Sequence, residues 1–507
     1  MRRVLALLAA TSLAACSFEP HYVRPEAPVP PSWPQGDAYL ARSEAALPSV
    51  DYNQIFQDPR LQRIIAQALA NNRDLRVAAA NIAAARAQYH IQRAELLPEV
   101  DATSGYRYAH SNGNTSLGST GNGTGTGGNG GTGTGSTGTL TTGGGSNQFT
   151  ADVGITSFEI DLFGRIRSLN HAALDRYFET EAAARATRLT LVGDIATAWL
   201  QYAADKSLLK IAQDTVTSAQ SSAKLTKQRL DGGIAPRTDL DQASLVLHTA
   251  ESDLANQTTA LAQDANAMRL LVGAEIDPAL LPGSIAEAAP TVAPLPAGLD
   301  SGILLRRPDV VQAEYELKAT NAEIGAARAE LFPRISLTAL LGFASNSLGG
   351  LFKSGSFSYS VAPNVSYPIF RAGAGKANVK VSEAQRDAAL ATYEKTIQTA
   401  FQEVADALAR RGTIAAQLTA QQNLAASAQD NYKLSDARYR GGIDTFLNSL
   451  DAQRSYYAAQ KTLIATQLTE ATNLVTLYRV LGGDQSIETT PAGPQPLSPT
   501  AGPPAKP

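Results

Sequence analysis

One helical hairpin occurs twice in this chain, and the duplication restricts its folding more than any other feature. Residues 223–273 and 432–483 share the turns Gly232-Gly233-Ile234 and Gly441-Gly442-Ile443. Leu240-Asp241 matches Leu450-Asp451, and Leu271-Val272-Gly273 matches Leu481-Gly482-Gly483. Long, proline-poor duplicated helices build an elongated structure and not a compact enzyme. Gly164 to Asp231 contains no proline, and as one helix it reaches about 100 Å at 1.5 Å per residue. The return helix, 237–272, lacks both Gly and Pro. The second copy repeats the plan, with helices at about 373–440 and 445–481. Leu240, Leu247, Leu254, Leu261 and Met268 recur every seven residues, as do Leu450, Tyr457, Ile464, Ala471 and Tyr478. That period makes a left-handed supercoiled seam, so its Met and aromatic members are read as packing.

Each copy also carries a pair of strands, predicted at 99–110 and 148–158 and at 334–343 and 356–367. Ile335, Leu337, Ala339, Leu341 and Phe343 fall on one face, with Arg334, Ser336, Thr338 and Gly342 on the other. So do Phe357, Tyr359, Val361, Val365 and Tyr367, and Phe149, Ala151, Val153 and Ile155. About ten residues, apolar on one side and small-polar on the other, is the pattern of a membrane β-strand. Four strands cannot close a barrel, and lipid does not tolerate open edges. Neighbouring chains must complete it, and arithmetic permits two, three or four copies.

The one cysteine, Cys16, follows Arg2-Arg3, an apolar run and Leu13-Ala14-Ala15, the order of a lipoprotein signal. Residues 1–15 are read as a signal peptide, with diacylglycerol and an N-acyl lipid on Cys16. Ser17 fits the outer membrane of a Gram-negative bacterium. Residues 16–58 are a Pro-rich anchored segment, with seven prolines between 20 and 48 expected to form a stiff tether. Residues 59–273 are the first repeat, with one helical stretch from Pro59 to about Glu95 closed by Leu97-Pro98. Residues 274–307 are a Pro/Ala linker in the equatorial region, 308–483 the second repeat with a helix at 308–331, and 484–507 a disordered tail. Residues 111–147 hold fifteen glycines and no charge, a composition that cannot build a core; they are read as a flexible loop.

Net charge is −3, which gives no footprint for nucleic acid. His21, His90, His110, His171 and His248 are scattered without metal-ligand spacing. There is no nucleophile elbow and no P-loop. Asp161 and Asp231 have no obvious base or metal partner. The chain is read as no enzyme, with no metal.

These residues resemble the outer-membrane efflux factor family, the TolC-like proteins, and specifically its NodT-type lipoproteins. The resemblance rests on Pro20-His21-Tyr22-Val23-Arg24-Pro25 after the lipobox and on Phe158-Glu159-Ile160-Asp161-Leu162-Phe163-Gly164-Arg165. Its strongest part is Arg306-Arg307-Pro308-Asp309-Val310, running on to Ile324-Gly325-Ala326-Ala327-Arg328-Ala329 and Phe332-Pro333-Arg334-Ile335-Ser336. It covers residues 16 to about 483. The resemblance implies a mainly α protomer with a small β part. Four strands would enter a trimeric twelve-stranded outer-membrane barrel, continued by a coiled-coil helical tunnel. It implies the exit duct of a tripartite efflux system, joined by a periplasmic adaptor to an inner-membrane pump of the RND class. It places the closed periplasmic gate at Leu447 and Asp451, with Arg438 and Tyr439 tying neighbouring helices. The tips at Gly232, Gly233 and Ile234 and at Gly441, Gly442 and Ile443 would dock the adaptor. The alternatives are the channel of a type I protein secretion system and a non-conducting periplasmic lipoprotein scaffold.

Overall fold

The computed structural model describes residues 17–39, 51–111, 144–293 and 301–496. Cys16 and its signal peptide, residues 112–143 of the Gly-rich stretch and residues 497–507 of the tail lie outside the described residues. The described elements run α1 (Tyr52–Ile55), α2 (Pro59–Asn71), α3 (Arg73–Ala94), β1 (Asp101–Ser111), β2 (Gly144–Glu159), α4 (Arg165–Asp231) and α5 (Arg237–Val272). Then follow α6 (Ile285–Ala288), α7 (Pro308–Ala329), β3 (Arg334–Ser345), β4 (Phe357–Ser366), α8 (Ala374–Arg440), α9 (Phe446–Val480), β5 (Ile487–Thr490) and β6 (Gly493–Pro496). No helix among the described residues is long and apolar enough to cross a membrane. The chain divides into two compact units.

The first unit holds the main sheet, antiparallel in the order β1-β2-β3-β4. Its register lines up the apolar positions: Val153 opposite Leu341 and Leu341 opposite Tyr359, then Ile155, Ala339 and Val361. Among the described residues nothing covers this face: Leu341 is 57% exposed, Tyr359 78% and Val361 65%. A sheet with an uncovered apolar face needs lipid or another apolar phase as its solvent. The strict alternation of β2 fails at Ser157-Phe158, and a bulge repairs it. Ile155 pairs with Ala339 but Phe158 pairs with Leu337, so Thr156 and Ser157 oppose Thr338 alone. One extra residue shifts the side-chain parity and returns Phe158 to the apolar face. Below the strands, the Phe332 ring stacks between Phe18 at 4.6 Å and Phe163 at 4.9 Å.

The turn from β4 into α8 contains Ala372 at φ 47°. A Cβ in that left-handed region costs about 1–2 kcal/mol, partly offset by the freedom glycine adds to the unfolded chain. Ala372→Gly is therefore expected to stabilise the purified protein by about 0.5 kcal/mol, and Ala372→Val to destabilise it. Equal thermal midpoints for the two variants would remove the strain argument.

The second unit carries the core. Phe56, Leu61, Ile64, Ile65, Ile195, Trp199, Leu200, Met268, Tyr393, Ile397, Val404, Leu474 and Tyr478 form one buried cluster. Met268 and Tyr478 of the heptad seams are thus packing residues. Helix α2 starts where Asp58 accepts from the Arg60 amide at 2.8 Å and Pro59 occupies the first position, where no amide is needed. The stretch expected as one helix to Glu95 breaks at Asn72, which is extended at ψ 138°. Its side chain then accepts from the Leu75 amide at 3.0 Å and caps α3. Asp161 likewise accepts from the Arg167 amide at 3.0 Å and pairs with the Arg167 guanidinium at 3.3 Å. Asp231 pairs with Lys227 one turn away at 3.4 Å.

Three expectations are corrected here. The described residues of the linker at 274–307 belong to the core: Ile285, Val292, Ile303 and Leu304 are buried, and Trp199 Nε1 donates to the Leu280 carbonyl at 3.1 Å. The described part of the tail is ordered, since β5 pairs with β6 and the Ile487 side chain is fully buried. Its prolines, Pro494 and Pro496, sit in β6 opposite Thr489 and Ile487, at a sheet edge where a missing amide is harmless. The described residues of the tether are a strap laid on the unit. Trp33 stacks on Phe401 at 5.2 Å, and the Ser301 hydroxyl donates to the Pro30 carbonyl at 2.7 Å. Gly412, inside α8, is where the strap crosses; a Cβ there would sit 2.2 Å from the Ala38 carbonyl oxygen. Glu314 on α7 is the strap's anchor. Its buried carboxylate accepts from Arg24 Nε at 2.9 Å, Arg24 Nη2 at 2.8 Å, the Tyr22 hydroxyl at 3.2 Å and the Thr489 hydroxyl at 2.9 Å.

Candidate functional site: the two hairpin tips

Both tips close by the same backbone device. The Ile234 amide donates to the Arg229 carbonyl at 2.8 Å, and the Gly233 amide to the Leu230 carbonyl at 2.9 Å. In the second copy Ile443 donates to Arg438 at 2.9 Å and Gly442 to Tyr439 at 3.0 Å. This Schellman pattern needs a left-handed residue after the helix, supplied by Gly233 at φ 72° and Gly442 at φ 74°. Ile234 and Ile443 are left 80% and 71% exposed, so each tip presents an uncovered apolar side chain.

The two tips are joined to each other through Tyr439. Its ring is buried with Phe446, Leu450 and Ala243, 5.2 Å from the Phe446 ring. Its hydroxyl lies 3.2 Å from the Thr226 hydroxyl of α4. The Arg229 guanidinium, also on α4, sits 4.4 Å from the centre of the Tyr439 ring. The same guanidinium donates to the Tyr439 and Arg440 carbonyls at 3.1 and 3.2 Å. Those carbonyls end α8, and the Tyr439 carbonyl also accepts the Gly442 amide of the turn, so a cation from the first hairpin adds to the cap of the second.

Arg438 makes a different contact. It pairs with Asp444 across its own tip at 3.2 Å and does not reach α4. The Thr445 amide, the Asn448 amide group and Arg438 together hold the Asp444 carboxyl below its ordinary range. Leu447 is 56% exposed and Asp451 is exposed. They lie one turn apart on α9, and the Asp451 carboxylate has no hydrogen bond or ion pair among the described residues. The structure therefore brings Tyr439 into the link between hairpins and leaves Leu447 and Asp451 on a free surface of the second.

Arg229 was not singled out from the sequence, although the repeat contains the signal. Counting back three residues from Gly232 and from Gly441 gives Arg229 and Arg438. They are the same position in the two copies, put to different uses.

A four-stranded open sheet with an uncovered apolar face, fed by two 67-residue helices that end in tied hairpin tips, is the protomer of a TolC-like outer-membrane channel. The chain belongs to the outer membrane efflux protein family, whose pattern matches residues 64–274 and 300–483. It is 42% identical over 500 residues to the toluene efflux pump outer membrane protein TtgC of Pseudomonas putida, covering 98% of each chain. It is 38% identical over 480 residues to the outer membrane protein OprJ of Pseudomonas aeruginosa, covering 95% of each. Among solved structures it is similar to the open state of the MtrE outer membrane channel of Neisseria gonorrhoeae. That match has a TM-score of 0.78 and 32% identity, and covers 93% of this chain and 99% of that one. The protein is an efflux channel of the outer membrane, and its family is one of ducts and not of enzymes.

Proposed function

We propose that three copies close a twelve-stranded barrel and a helical tunnel, forming the exit duct of a tripartite pump. A periplasmic adaptor docks at the tips around Gly232, Gly233 and Ile234 and around Gly441, Gly442 and Ile443. It joins the duct to an inner-membrane pump of the RND class. The cargo is small apolar or amphipathic organic molecules, the class suggested by the toluene-pump relative. A diacylglycerol and an N-acyl lipid on Cys16 anchor each copy in outer-membrane lipid.

The observation that carries this reading is the sheet of four strands, open at β1 and β4 with its apolar face uncovered. At the periplasmic end, three Leu447 side chains form an apolar constriction and three Asp451 carboxylates a ring that favours cations. A unit charge about 6 Å from a permeating ion contributes about 0.7 kcal/mol in water, less when screened. Asp451→Ala is therefore expected to lower the cation-to-anion permeability ratio by roughly threefold or more. Single-channel recording of purified protein in planar bilayers reads this directly. No pore in either the unsubstituted protein or the variant sinks the duct, and an unchanged ratio removes Asp451 from the gate.

A further inference from the structure

Two acidic side chains of the first hairpin face each other where no cation answers them. Asp205 lies on α4, next to the buried Ala204, and is itself only 8% exposed. Asp264 lies on α5, one turn before the buried Met268. The two carboxyls are within hydrogen-bonding reach of each other across the α4–α5 interface. Gln201 Nε2 donates to Asp205 Oδ2 at 2.9 Å. Asp264 Oδ2 is sealed from solvent and receives no donor among the described residues. The residues three and four places away, on the same helix faces, are uncharged for both acids. Lys206 and Arg269, the nearest cations along the chain, are exposed, and Arg269 is paired with Glu275 at 3.1 Å. The other titratable group that meets the pair is the Tyr202 phenol, which burial and then Asp264 push up, so it stays a neutral hydroxyl.

An ionised carboxylate accepts hydrogen bonds and donates none, so two of them in contact are held together only when one keeps a proton. With a proton shared, the pair carries one negative charge and a charge-assisted bond. Without it, two like charges meet in a poorly solvated interface. Burial first, and Asp205 second, push the Asp264 carboxyl up to about 7, a value that belongs to the pair. An aspartate in open chain titrates near 3.9. Between about 4 and 7 the closed interface therefore holds a proton that the opened one gives up. Raising the pH through that range favours opening by up to about tenfold per unit, and the effect levels off above about 7.

We infer that Asp205 and Asp264 form a proton-operated clasp between α4 and α5, fastened by a shared proton in acid and released as the pH rises to neutrality. The clasp sits at the root of the first hairpin, about 39 Å from the end of α4 at 1.5 Å per residue. It sets how freely the hairpin moves against the core cluster of Trp199 and Met268, apart from the tie that Arg229 and Tyr439 make at the tip. Both acids belong to one chain, so the clasp works whether or not several copies close a duct.

Hydrogen–deuterium exchange of the full-length protein in detergent tests it, with each rate corrected for the intrinsic pH dependence of amide exchange. Amides of residues 201–209 and 260–268 are expected to lose protection about 20-fold between about pH 5.5 and about pH 7.5. Asp264→Asn puts an amide N–H where the shared proton was, so the same segments should keep their protection across that range. Asp205→Asn should behave alike, and carries the comparison if the first variant does not fold. Infrared spectra report the proton itself. In the acid sample the unsubstituted protein should show one more protonated carboxyl per chain than either variant, and at about pH 8.5 no more than they do. Equal pH dependence of protection in the unsubstituted protein and the variants, or no extra protonated carboxyl in acid, overturns the clasp. An extra carboxyl that titrates without any change in protection also overturns it, because that proton fastens nothing.

Discussion

Arg229→Ala is expected to open the channel. The guanidinium lies 4.4 Å from the centre of the Tyr439 ring and donates to two carbonyls at the end of α8. A partly desolvated cation–π contact contributes about 0.5–2 kcal/mol, and a hydrogen bond to a charged donor about 1.5–3 kcal/mol. Arg229 is half-buried, so the low end of each range applies. The loss is about 2 kcal/mol per protomer, or roughly 30-fold in the balance between tied and separated tips. Single-channel recordings should show a higher open probability, and cells carrying the variant should become sensitive to large antibiotics normally excluded from the periplasm. Tyr439→Phe removes only the 3.2 Å contact to Thr226 and should shift the balance several-fold at most, since such a bond is worth about 1 kcal/mol. Arg229→Lys keeps the charge but not the planar fork, and should fall between them. An Arg229→Ala channel with unaltered open probability would remove the arginine from the gate.

Glu314→Ala is expected to release the strap. The carboxylate is 1% exposed and serves four hydrogen bonds from Tyr22, Arg24 and Thr489. Its removal strands one cation and two hydroxyls. Breaking a fully buried ion pair costs about 3–5 kcal/mol. Here the Arg24 side chain is 38% exposed and can recover water, so about 2–3 kcal/mol is expected. The measurement is the rate of proteolytic cleavage within residues 17–39, expected to rise roughly 30- to 100-fold if cleavage follows local opening. Glu314→Gln retains one acceptor oxygen and should lose less. If neither variant speeds cleavage, the strap is held by its Trp33 and Gly412 contacts alone.

The long helices and the four strands were legible because each is written in a local code. Freedom from Pro gives α4, freedom from both Pro and Gly gives α5 and α9, and alternation gives β3 and β4. The tips were legible because a Schellman turn demands glycine at one position. What the sequence hid were segments whose order comes from distant partners. Prolines between 20 and 48 are compatible with a free tether or with a strap, and only Trp33, Glu314 and Gly412, far apart in sequence, decide between them. The same holds for the tail, where Pro494 in a sheet is legible only once Tyr315 is seen to hold Thr490 by its hydroxyl, at 3.0 Å to the carbonyl and 3.2 Å from the amide. Asn72 is a weak helix residue anywhere, and its double use as stop and cap depends on the neighbouring turn. At the tips, Tyr439 was found through family resemblance, whereas Arg229 needed the geometry of the other hairpin.

The placement of Glu314 also sets an order of events during biosynthesis. Arg24 leaves the secretion machinery 290 residues before the carboxylate that receives it, and Thr489 follows that carboxylate by 175 residues more. A contact of such long range forms late, because the loop it closes must be organised first. Tyr22 therefore has no Glu314 to donate to until residue 314 has emerged, and Trp33 has no Phe401 ring to stack on until residue 401 has. Completion of that single junction requires Arg24, Glu314 and Thr489 to be in place together.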